Sequence, residues 1–183
     1  MQPRITLIQP QRPSVATTFL KHNDWRIRGI TRNLDSEKAK AWAKKGVEIV
    51  QGGQNDVESM KRAFRGANAI FAVTDFASNY TKVSEDDALQ KKAKAVGRSV
   101  GEYAADLEQA QGINVVTAAA DAEVLSTLER FVFSTLAGVK TISGGKYRHA
   151  YEFDSKASVE NHVRKKLPGL SERMSSVIIG IYQ

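Results

Sequence analysis

Short apolar runs alternate with helix-like stretches along the first half of the chain, and this alternation limits the possible folds more than any other feature. The apolar runs are Ile5–Ile8, Trp25–Ile30, Val47–Val50 and Asn68–Val73. The stretches between them carry apolar residues at helical spacing, and two of them end at Gly46 and Gly66. Strands that are apolar almost throughout are typical of parallel sheets covered on both faces. The sequence therefore predicts an α/β fold.

The second half of the chain extends this pattern to a sheet of about six strands. A long helical stretch covers Glu85–Leu128, and a further helix runs from about Asp154 to Lys165. Arg130–Ser134 and Ser175–Tyr182 are the predicted fifth and sixth strands. Right-handed crossovers place the first strand centrally, with the second and third on one side and the fourth on the other. We therefore predict a Rossmann-like doubly wound parallel sheet with helices on both faces, as a single domain over residues 1–183.

Apolar residues within Glu85–Leu128 recur at alternating spacings of four and three, which draws one stripe along a helix. The stripe consists of Leu89, Ala93, Val96, Val100, Tyr103, Leu107 and Ala110. It predicts one bent helix, or two in succession, packed on the sheet. A coiled coil is the alternative, but Gly97 and Gly101 weaken a continuous helix. The predicted helix caps are Asp35 for a helix that runs to Lys45, Asn55 or Asp56 for the next helix, and Asp86-Asp87.

The composition is that of an ordinary globular protein with a basic surface. The net charge is +7, from 27 Lys and Arg against 20 Asp and Glu. These charges are scattered without a long basic tract, so a solvated surface is favoured over direct nucleic-acid binding. The absence of cysteine excludes disulfides, thiolate catalysis and cysteine-ligated zinc.

The sequence also lacks features of membrane and metal proteins. The N-terminal residues have no apolar core of a signal peptide, and no apolar run reaches the length of a membrane span. His22, His149 and His162 are isolated in sequence, without the spacing of metal ligands. We therefore expect no membrane association, no metal, and a location in the cytoplasm, the nucleus or both.

The turn after the first strand lacks the glycines that a dinucleotide-binding unit places there. Such glycines allow a sharp turn and bring backbone N–H groups against a diphosphate. This chain has Gln9-Pro10-Gln11-Arg12-Pro13, in which each proline removes a donor. The helix N-terminus and Arg12 can still attract an anion, although Pro13 at the start of that helix lends no N–H. The sequence therefore predicts dinucleotide binding that is weakened or lost.

Arg32, at the end of the second strand, is the main positive evidence for a dinucleotide. NAD-selective sites place an acidic residue there, whereas a basic residue favours the 2′-phosphate of NADP. The guanidinium fork also matches the geometry of phosphate oxygens. Thr74 and Phe76, at the carboxyl end of the fourth strand, lie where open α/β sheets bind ligands. An exposed arginine and structural loop residues are the alternative interpretation of these positions.

A series of short motifs runs along nearly the whole chain. They are Thr31-Arg32-Asn33, Gln51-Gly52 with Asn55-Asp56, Phe71-Ala72-Val73-Thr74-Asp75-Phe76, Glu108-Gln109-Ala110-Gln111-Gly112, Arg130-Phe131-Val132-Phe133-Ser134, Gly144-Gly145-Lys146-Tyr147 and Phe153-Asp154-Ser155-Lys156-Ala157. In this order they resemble the fungal NmrA-like proteins, which are atypical relatives of the short-chain dehydrogenases/reductases. The resemblance implies a Rossmann domain that binds NADP(H). It also implies relatives that act as redox-sensing regulators, some of which bind transcription factors, and others that are reductases.

The site residues are predicted from this resemblance and from their position at the carboxyl ends of the strands. The predicted cofactor-binding residues are Gln9, Gln11, Arg12, Thr31, Arg32, Asn33, Thr74, Asp75, Phe76 and Lys156. By resemblance Lys156 is also the candidate catalytic residue, because reductases of this superfamily place a proton-donating tyrosine one helical turn before such a lysine. Here Glu152 holds that position, and Tyr147 and Tyr151 are out of phase. An ion pair between Glu152 and Lys156 is the favoured interpretation, and it argues against ordinary reductase chemistry.

The chain departs from the family pattern at three places. Family members carry a glycine-rich loop in place of Gln9–Pro13, and usually a histidine in place of Glu152. They also continue beyond the sixth strand into a smaller substrate or partner lobe, which we expect to be absent because the chain ends at Gln183. Apolar residues on the sixth strand and the long helix would then lack cover, so a homodimer is expected.

The function that these features favour is a non-catalytic regulator or redox sensor derived from an NADP-binding dehydrogenase. It would act through a protein partner such as a transcription factor, with weak NADP binding or none. Two alternatives stay open: an NADP-dependent reductase of a small ketone or enone, and a degenerate paralogue without a ligand.

Overall fold

The computed structural model describes residues 2–8 and 13–179 and contains a six-stranded parallel sheet. The strands are β1 (Arg4–Ile8), β2 (Arg26–Thr31), β3 (Glu48–Gln51), β4 (Ala69–Val73), β5 (Arg130–Thr135) and β6 (Met174–Ile178). Their order is β3-β2-β1-β4-β5-β6, and each neighbouring pair is parallel. The predicted Rossmann-like doubly wound sheet with a central first strand is confirmed. A crevice opens at the carboxyl edge between β1 and β4, where the strand order reverses.

Helices connect these strands and cover both faces of the sheet. The described helices are α1 (Pro13–Phe19), α2 (Glu37–Ala43), α3 (Val57–Phe64), α4 (Phe76–Glu85), α5 (Asp87–Ala95), α6 (Val100–Ala119), α7 (Ala122–Leu125), α8 (Val139–Ile142), α9 (Tyr151–Lys166) and α10 (Pro168–Ser171). On one face, Ala16 of α1 packs with Ile5 and Leu7 of β1. The other face is covered by α3, α6 and α9, which bury the side chains of Phe131 and Phe133 of β5. None of the described helices has the length and apolar character needed to cross a membrane.

The stretch Glu85–Leu128 contains more breaks than predicted. Asp86 ends α4 and caps α5, as expected for the Asp86-Asp87 pair. Gly97, with φ of 68°, and the capping box of Ser99 with Glu102 then separate α5 from α6. The prediction of two helices in succession therefore holds for α5 and α6, and the short α7 after them was not predicted.

The apolar stripe predicted for this stretch is also wrong beyond Ala93. Val96 is 64% exposed and Ala110 is exposed, whereas the buried side of α6 lies one position further along. Its buried residues are Gly101, Ala104, Glu108, Gly112, Val115, Val116, Ala118 and Ala119. Small residues at the first half of this buried side let α9 approach α6 closely. The predicted stripe missed this side because it was drawn through large apolar side chains. Glycine and alanine, which with Glu108 form the first half of the buried side, have little or no apolar side chain to mark it.

Other element boundaries differ by a few residues. Ser36, rather than Asp35, caps α2, because its side chain accepts a hydrogen bond from the Ala39 N–H, and α2 ends at Ala43 instead of Lys45. Of the two candidate caps for α3, the structure uses Asp56. The sixth strand was predicted to reach Tyr182, but β6 ends at Ile178 and residues 180–183 lie outside the described chain.

Candidate functional site

A cleft of about 330 Å³ lies at the carboxyl edge of the sheet. It is built from the last residues of β1 and β2, from residues that follow β2, β3 and β4, and from the sides of α3, α4 and α6 that face them. The lining residues are Ile8, Ile30, Thr31, Arg32, Asn33, Ser36, Lys38, Gly52, Gly53, Gln54, Asn55, Met60, Asp75, Ser78, Asn79 and Gln111. The cleft thus occupies the position where an open α/β sheet binds its ligand.

The turn after β2 is held by a set of local hydrogen bonds. The Thr31 hydroxyl donates to the Asn33 carbonyl and accepts from the Asn33 N–H, at 3.2 and 3.3 Å. The Asn33 side chain accepts from the Asp35 N–H at 2.9 Å, and the Ser36 hydroxyl donates to the Asn33 carbonyl at 3.0 Å. Thr31 and Asn33 are therefore occupied in shaping the turn, which leaves Arg32 as its projecting side chain.

Two cations, Arg32 and Lys38, line this end of the cleft. Both residues are exposed, and neither forms an ion pair with a carboxylate in the described part of the chain. Lys38 was not among the predicted residues, although its position in the first turn of α2 places it beside the end of β2. This end of the cleft is therefore suited to a phosphate group, as predicted for Arg32.

A chain of amide side chains forms the opposite wall. The Gln111 amide on α6 donates to Asn55 at 3.1 Å and accepts from Asn79 at 2.9 Å. Asn114, one turn further along α6, donates to the Gln54 carbonyl at 3.0 Å, and the Gln54 amide donates to the Val73 carbonyl at 3.0 Å. The loop after β3 is thus fixed by bonds to α6 and to the end of β4.

The residues predicted at the end of β4 divide into two groups. Asp75 lines the cleft and caps α4, because its carboxylate accepts from the Ser78 N–H at 3.0 Å. Thr74 is buried, at the side of Lys156. Phe76 does not line the cleft; its ring packs near Tyr80, with the ring centroids 6.0 Å apart. The contact of Phe76 with the cofactor stays a prediction.

Lys156, on α9, lies at the carboxyl end of β4 and is surrounded by oxygen atoms. Its ammonium pairs with the Glu108 carboxylate of α6, and its Nζ is 3.4 Å from the Thr74 carbonyl and 3.5 Å from the Thr74 hydroxyl. The Glu152 carboxylate is a further 3.6 Å neighbour. The predicted Glu152–Lys156 pair is present, but the buried Glu108 is the closer partner.

In the part of the chain that the structure describes, no tyrosine hydroxyl bonds to Lys156 in the place of a proton donor. The Tyr151 hydroxyl instead bonds to Nδ1 of His149 at 2.7 Å. A Cβ at Gly101 would come within 2.7 Å of the Tyr151 ring, so this ring packs directly against α6. Tyr147 is 57% exposed and its ring lies under the Lys146 ammonium. Both tyrosines are therefore out of phase with Lys156, as the sequence predicted.

The remaining site predictions concern residues that the structure does not describe. Gln9, Gln11 and Arg12 lie between the described ranges 2–8 and 13–179. Their role in cofactor binding stays a prediction. Within the described ranges, no group of three or more acidic or histidine side chains is placed to hold a metal ion.

Comparison with known proteins identifies the family. A model of the NmrA-like family matches residues 11–182. An NmrA-like family domain-containing protein of Dictyostelium discoideum is 25% identical over 167 residues, which cover 91% of this chain and 45% of that protein. An NmrA-like family domain-containing oxidoreductase of an Aspergillus species is 45% identical over 62 residues, or 34% of this chain and 18% of that protein. The chain thus spans less than half the length of these relatives.

Solved structures share the fold of this chain. The negative transcriptional regulator NmrA matches 100% of this chain and 47% of its own, with a TM-score of 0.69 and 21% identity. A triphenylmethane reductase of Citrobacter sp., solved with NADP(H), matches 98% of this chain and 50% of its own, with a TM-score of 0.62 and 19% identity. At these identities the likeness concerns the fold. The family match over nearly the full sequence nevertheless shows that the chain belongs to the NmrA-like family.

Proposed function

We propose that this protein is a non-catalytic regulator or redox sensor that binds NADP(H) weakly in the cleft. The observation that carries the proposal is the environment of Lys156. Its ammonium is bonded to protein oxygens, Glu152 holds the position of a proton-donating tyrosine, and the hydroxyl of the neighbouring Tyr151 is engaged by His149. A lysine in this setting can hold a ligand hydroxyl, but among the described residues it bonds to no tyrosine whose proton it can help to transfer.

Binding of the 2′-phosphate is supported by Arg32 and Lys38 on one rim of the cleft. The solved NmrA, which shares the fold, has been crystallised with NADP and with NAD. Weak affinity is supported by the sequence between β1 and α1, which has no glycine and contains two prolines. Each charged hydrogen bond that is lost costs about 1.5–3 kcal/mol, and about 1.4 kcal/mol corresponds to a tenfold loss of affinity. We therefore expect a dissociation constant for NADPH in the micromolar range or above.

Calorimetric titration with NADPH and NADH tests the binding. We expect micromolar or weaker binding of NADPH, and a loss of the preference for NADPH over NADH in Arg32→Ala. Arg130→Ala is the matched control, because Arg130 is an exposed arginine at the opposite edge of the sheet. Submicromolar NADPH binding would contradict the argument from the loop. Complete absence of binding would favour the degenerate paralogue without a ligand.

The regulatory role requires a protein partner, and the family suggests a transcription factor. Such contact would take place in the cytoplasm or the nucleus. The proposal predicts that NADPH changes the affinity for that partner, and that Arg32→Ala abolishes this dependence. A partner affinity that is the same with and without NADPH would remove the sensing role.

A reductase of a small ketone or enone is the second candidate. The observation in its favour is that Nζ of Lys156 lies 3.4 Å from the carbonyl of Thr74, the residue that precedes the cleft residue Asp75. One relative is also named an oxidoreductase. NADPH consumption with a panel of small ketones and enones tests it, with Lys156→Met as the inactive control. Turnover by the wild type that is lost in this variant would favour the reductase over the regulator.

A further inference from the structure

The buried side of α6 carries a carboxylate that the proposed function does not explain. Glu108 is fully buried, with a relative exposure of 0%. Burying a carboxylate is costly unless it is paired and hydrogen-bonded. Both of its oxygens have partners on α9: Oε1 accepts from the Lys156 ammonium, and Oε2 accepts from the Ser155 hydroxyl. Glu108 thus bonds two successive residues of the helix that carries the candidate ligand-binding lysine.

The position of Glu108 relative to α9 is fixed on both sides by close helix contacts. A Cβ at Gly101 would lie 2.7 Å from the Tyr151 ring, and a Cβ at Gly112 would lie 2.4 Å from Val159 Cγ2. These glycines allow α6 and α9 to pack without the spacing that a larger side chain would require. Because Glu108 lies between them, its carboxylate has little freedom to move away from Lys156.

Glu152, the other carboxylate beside Lys156, fixes the position of the Lys156 ammonium less than Glu108 does. Its side chain is 46% exposed and its nearest oxygen is 3.6 Å from Nζ. Water reaches the Glu152 carboxylate and competes for its charge, so this carboxylate holds the ammonium less firmly than the buried Glu108 does. Glu108 and Thr74 therefore determine where the ammonium lies, which is at the end of β4 next to the cleft residue Asp75.

We propose that Glu108 is a positioning residue, which holds the Lys156 ammonium against the end of β4 so that Lys156 contacts the nicotinamide half of a bound NADP(H). This inference rests on the proposed dinucleotide binding. The adenosine half belongs over β1–β3, where Arg32 and Lys38 lie, and the nicotinamide half over β4 and β5. Glu108 then acts on one half of the ligand only.

The test compares NADPH with 2′,5′-ADP, a ligand that lacks the nicotinamide half and therefore cannot be affected through a contact with it. We would measure the affinities of NADPH and of 2′,5′-ADP for the wild type, Glu108→Gln and Glu152→Gln. Glutamine keeps the size of Glu108 and removes its charge. We expect Glu108→Gln to weaken NADPH binding about tenfold, as for the loss of one charge-assisted contact, and to leave 2′,5′-ADP binding within about twofold. Glu152→Gln should leave both affinities within about twofold.

The fluorescence of bound NADPH provides a second measurement, because it reports the surroundings of the nicotinamide ring. Under the proposal, the spectrum of bound NADPH changes in Glu108→Gln and stays as in the wild type in Glu152→Gln. If Glu108→Gln fails to fold, Ser155→Ala replaces it, since it removes the hydrogen bond to Oε2 and leaves both charges. This variant should weaken NADPH about threefold without affecting 2′,5′-ADP.

Several outcomes would overturn the proposal. Unchanged or tighter NADPH binding in Glu108→Gln would show that Glu108 does not position Lys156 for the ligand. An equal loss for NADPH and 2′,5′-ADP would assign Glu108 a general structural role. If the wild type bound neither ligand, that result would contradict the proposed function as well as this inference. The first two results would contradict this inference alone, because the protein would still bind the dinucleotide.

Discussion

At the scale of single residues, Arg28 connects the sheet to the end of a helix. Arg28 is buried, and its Nη1 donates to the carbonyls of Ala63 and Arg65 at 2.8 and 2.9 Å. These carbonyls lie at the carboxyl end of α3, where intrahelical partners are missing. Its Nη2 also pairs with Glu48 at 3.0 Å. The guanidinium therefore satisfies acceptors on two elements at once, and its role is structural.

Replacing this guanidinium should destabilise the protein substantially. We expect Arg28→Met to lower the free energy of unfolding by about 2–4 kcal/mol, because two carbonyls and a carboxylate lose their donor. Urea denaturation followed by circular dichroism measures the change. Arg26→Met is the control, since Arg26 is an exposed residue of the same strand. If Arg28→Met and Arg26→Met lowered the free energy of unfolding equally, the structural role of Arg28 would be contradicted.

Glu48 makes the stability depend on pH. Burial alone would raise the pKa of Glu48, but the hydrogen bond from Arg28 and the charges of Arg28 and Arg4 outweigh it and lower the pKa below its ordinary value. A carboxyl whose pKa is lower in the folded state stabilises that state above the unfolded pKa, which is about 4.3. This stabilisation is lost as the pH falls through the folded pKa.

Glu48→Gln should therefore be less stable than the wild type at neutral pH, and the difference should shrink as the pH falls below about 4. Urea denaturation at a series of pH values measures this difference. Glu37→Gln serves as control, because its carboxylate is 91% exposed. A difference that grows on acidification would show that the pKa of Glu48 is raised instead of lowered.

The individual residues differ in how far the sequence could predict them. Thr31, Arg32, Asn33 and Asp75 follow strands, and the carboxyl ends of parallel strands share one edge, so their place at the cleft could be predicted. Glu108 was missed as a site residue, because its partner Lys156 lies on another helix and only the packing of the two helices brings them together. The available signal was an acidic residue on a side of the helix made of small residues.

At the scale of elements, α6 and α9 pack against each other at a glycine that has no room for a side chain. Gly112 faces Val159, and an added Cβ would lie 2.4 Å from Val159 Cγ2. Both residues are buried, so neither can move aside into solvent. The spacing between these helices therefore depends on the missing side chain at Gly112.

Gly112→Ala should lower the free energy of unfolding by about 1–3 kcal/mol, as overpacking does in well-packed cores. Val159→Ala removes the opposing methyl groups, and the double variant should be more stable than the sum of the two single changes predicts. Thermal or urea denaturation of the four proteins measures this coupling. Strictly additive effects would show that the two residues do not compete for the same space.

The strands could be predicted more accurately than the helices. Short apolar runs bounded by polar residues located all six strands, with ends that differ by a few residues. Helix breaks depend on single caps, such as the Ser99–Glu102 capping box, and the spacing of apolar residues does not reveal these caps. The phase of α6 was wrong by one residue for a related reason: the first half of its buried side carries Gly101, Ala104, Glu108 and Gly112, and none of these has a large apolar side chain.

At the scale of the whole molecule, one part of the sheet is less covered than the rest. Side chains alternate along a strand, so Phe71, Val132 and Val177 share the face opposite Phe131 and Phe133. Phe71 and Val132 are half-buried and Val177 is 37% exposed. β6 pairs with β5 and has no second strand neighbour among the described residues. An exposed edge next to apolar side chains favours association with another chain.

The expected homodimer can be tested at this face. Val177→Glu places a charge on it and should shift the protein toward the monomer, which analytical ultracentrifugation over a range of concentrations measures. Val96→Glu is the control, since Val96 is an exposed valine at the C-cap of α5. A wild type that stays monomeric at every concentration would contradict the expectation, as would equal effects of both substitutions.

The reversal of strand order between β1 and β4 has one more consequence. The rim with Arg32 belongs to the half of the sheet that contains β2, and Lys156 belongs with β4 and α9 in the other half. A molecule long enough to touch both would tie together two units that otherwise meet through β1, β4 and the amide bonds of α6. Its presence would then add a further link between the two halves, beside the bonds that Gln111 and Asn114 of α6 make to the loop after β3.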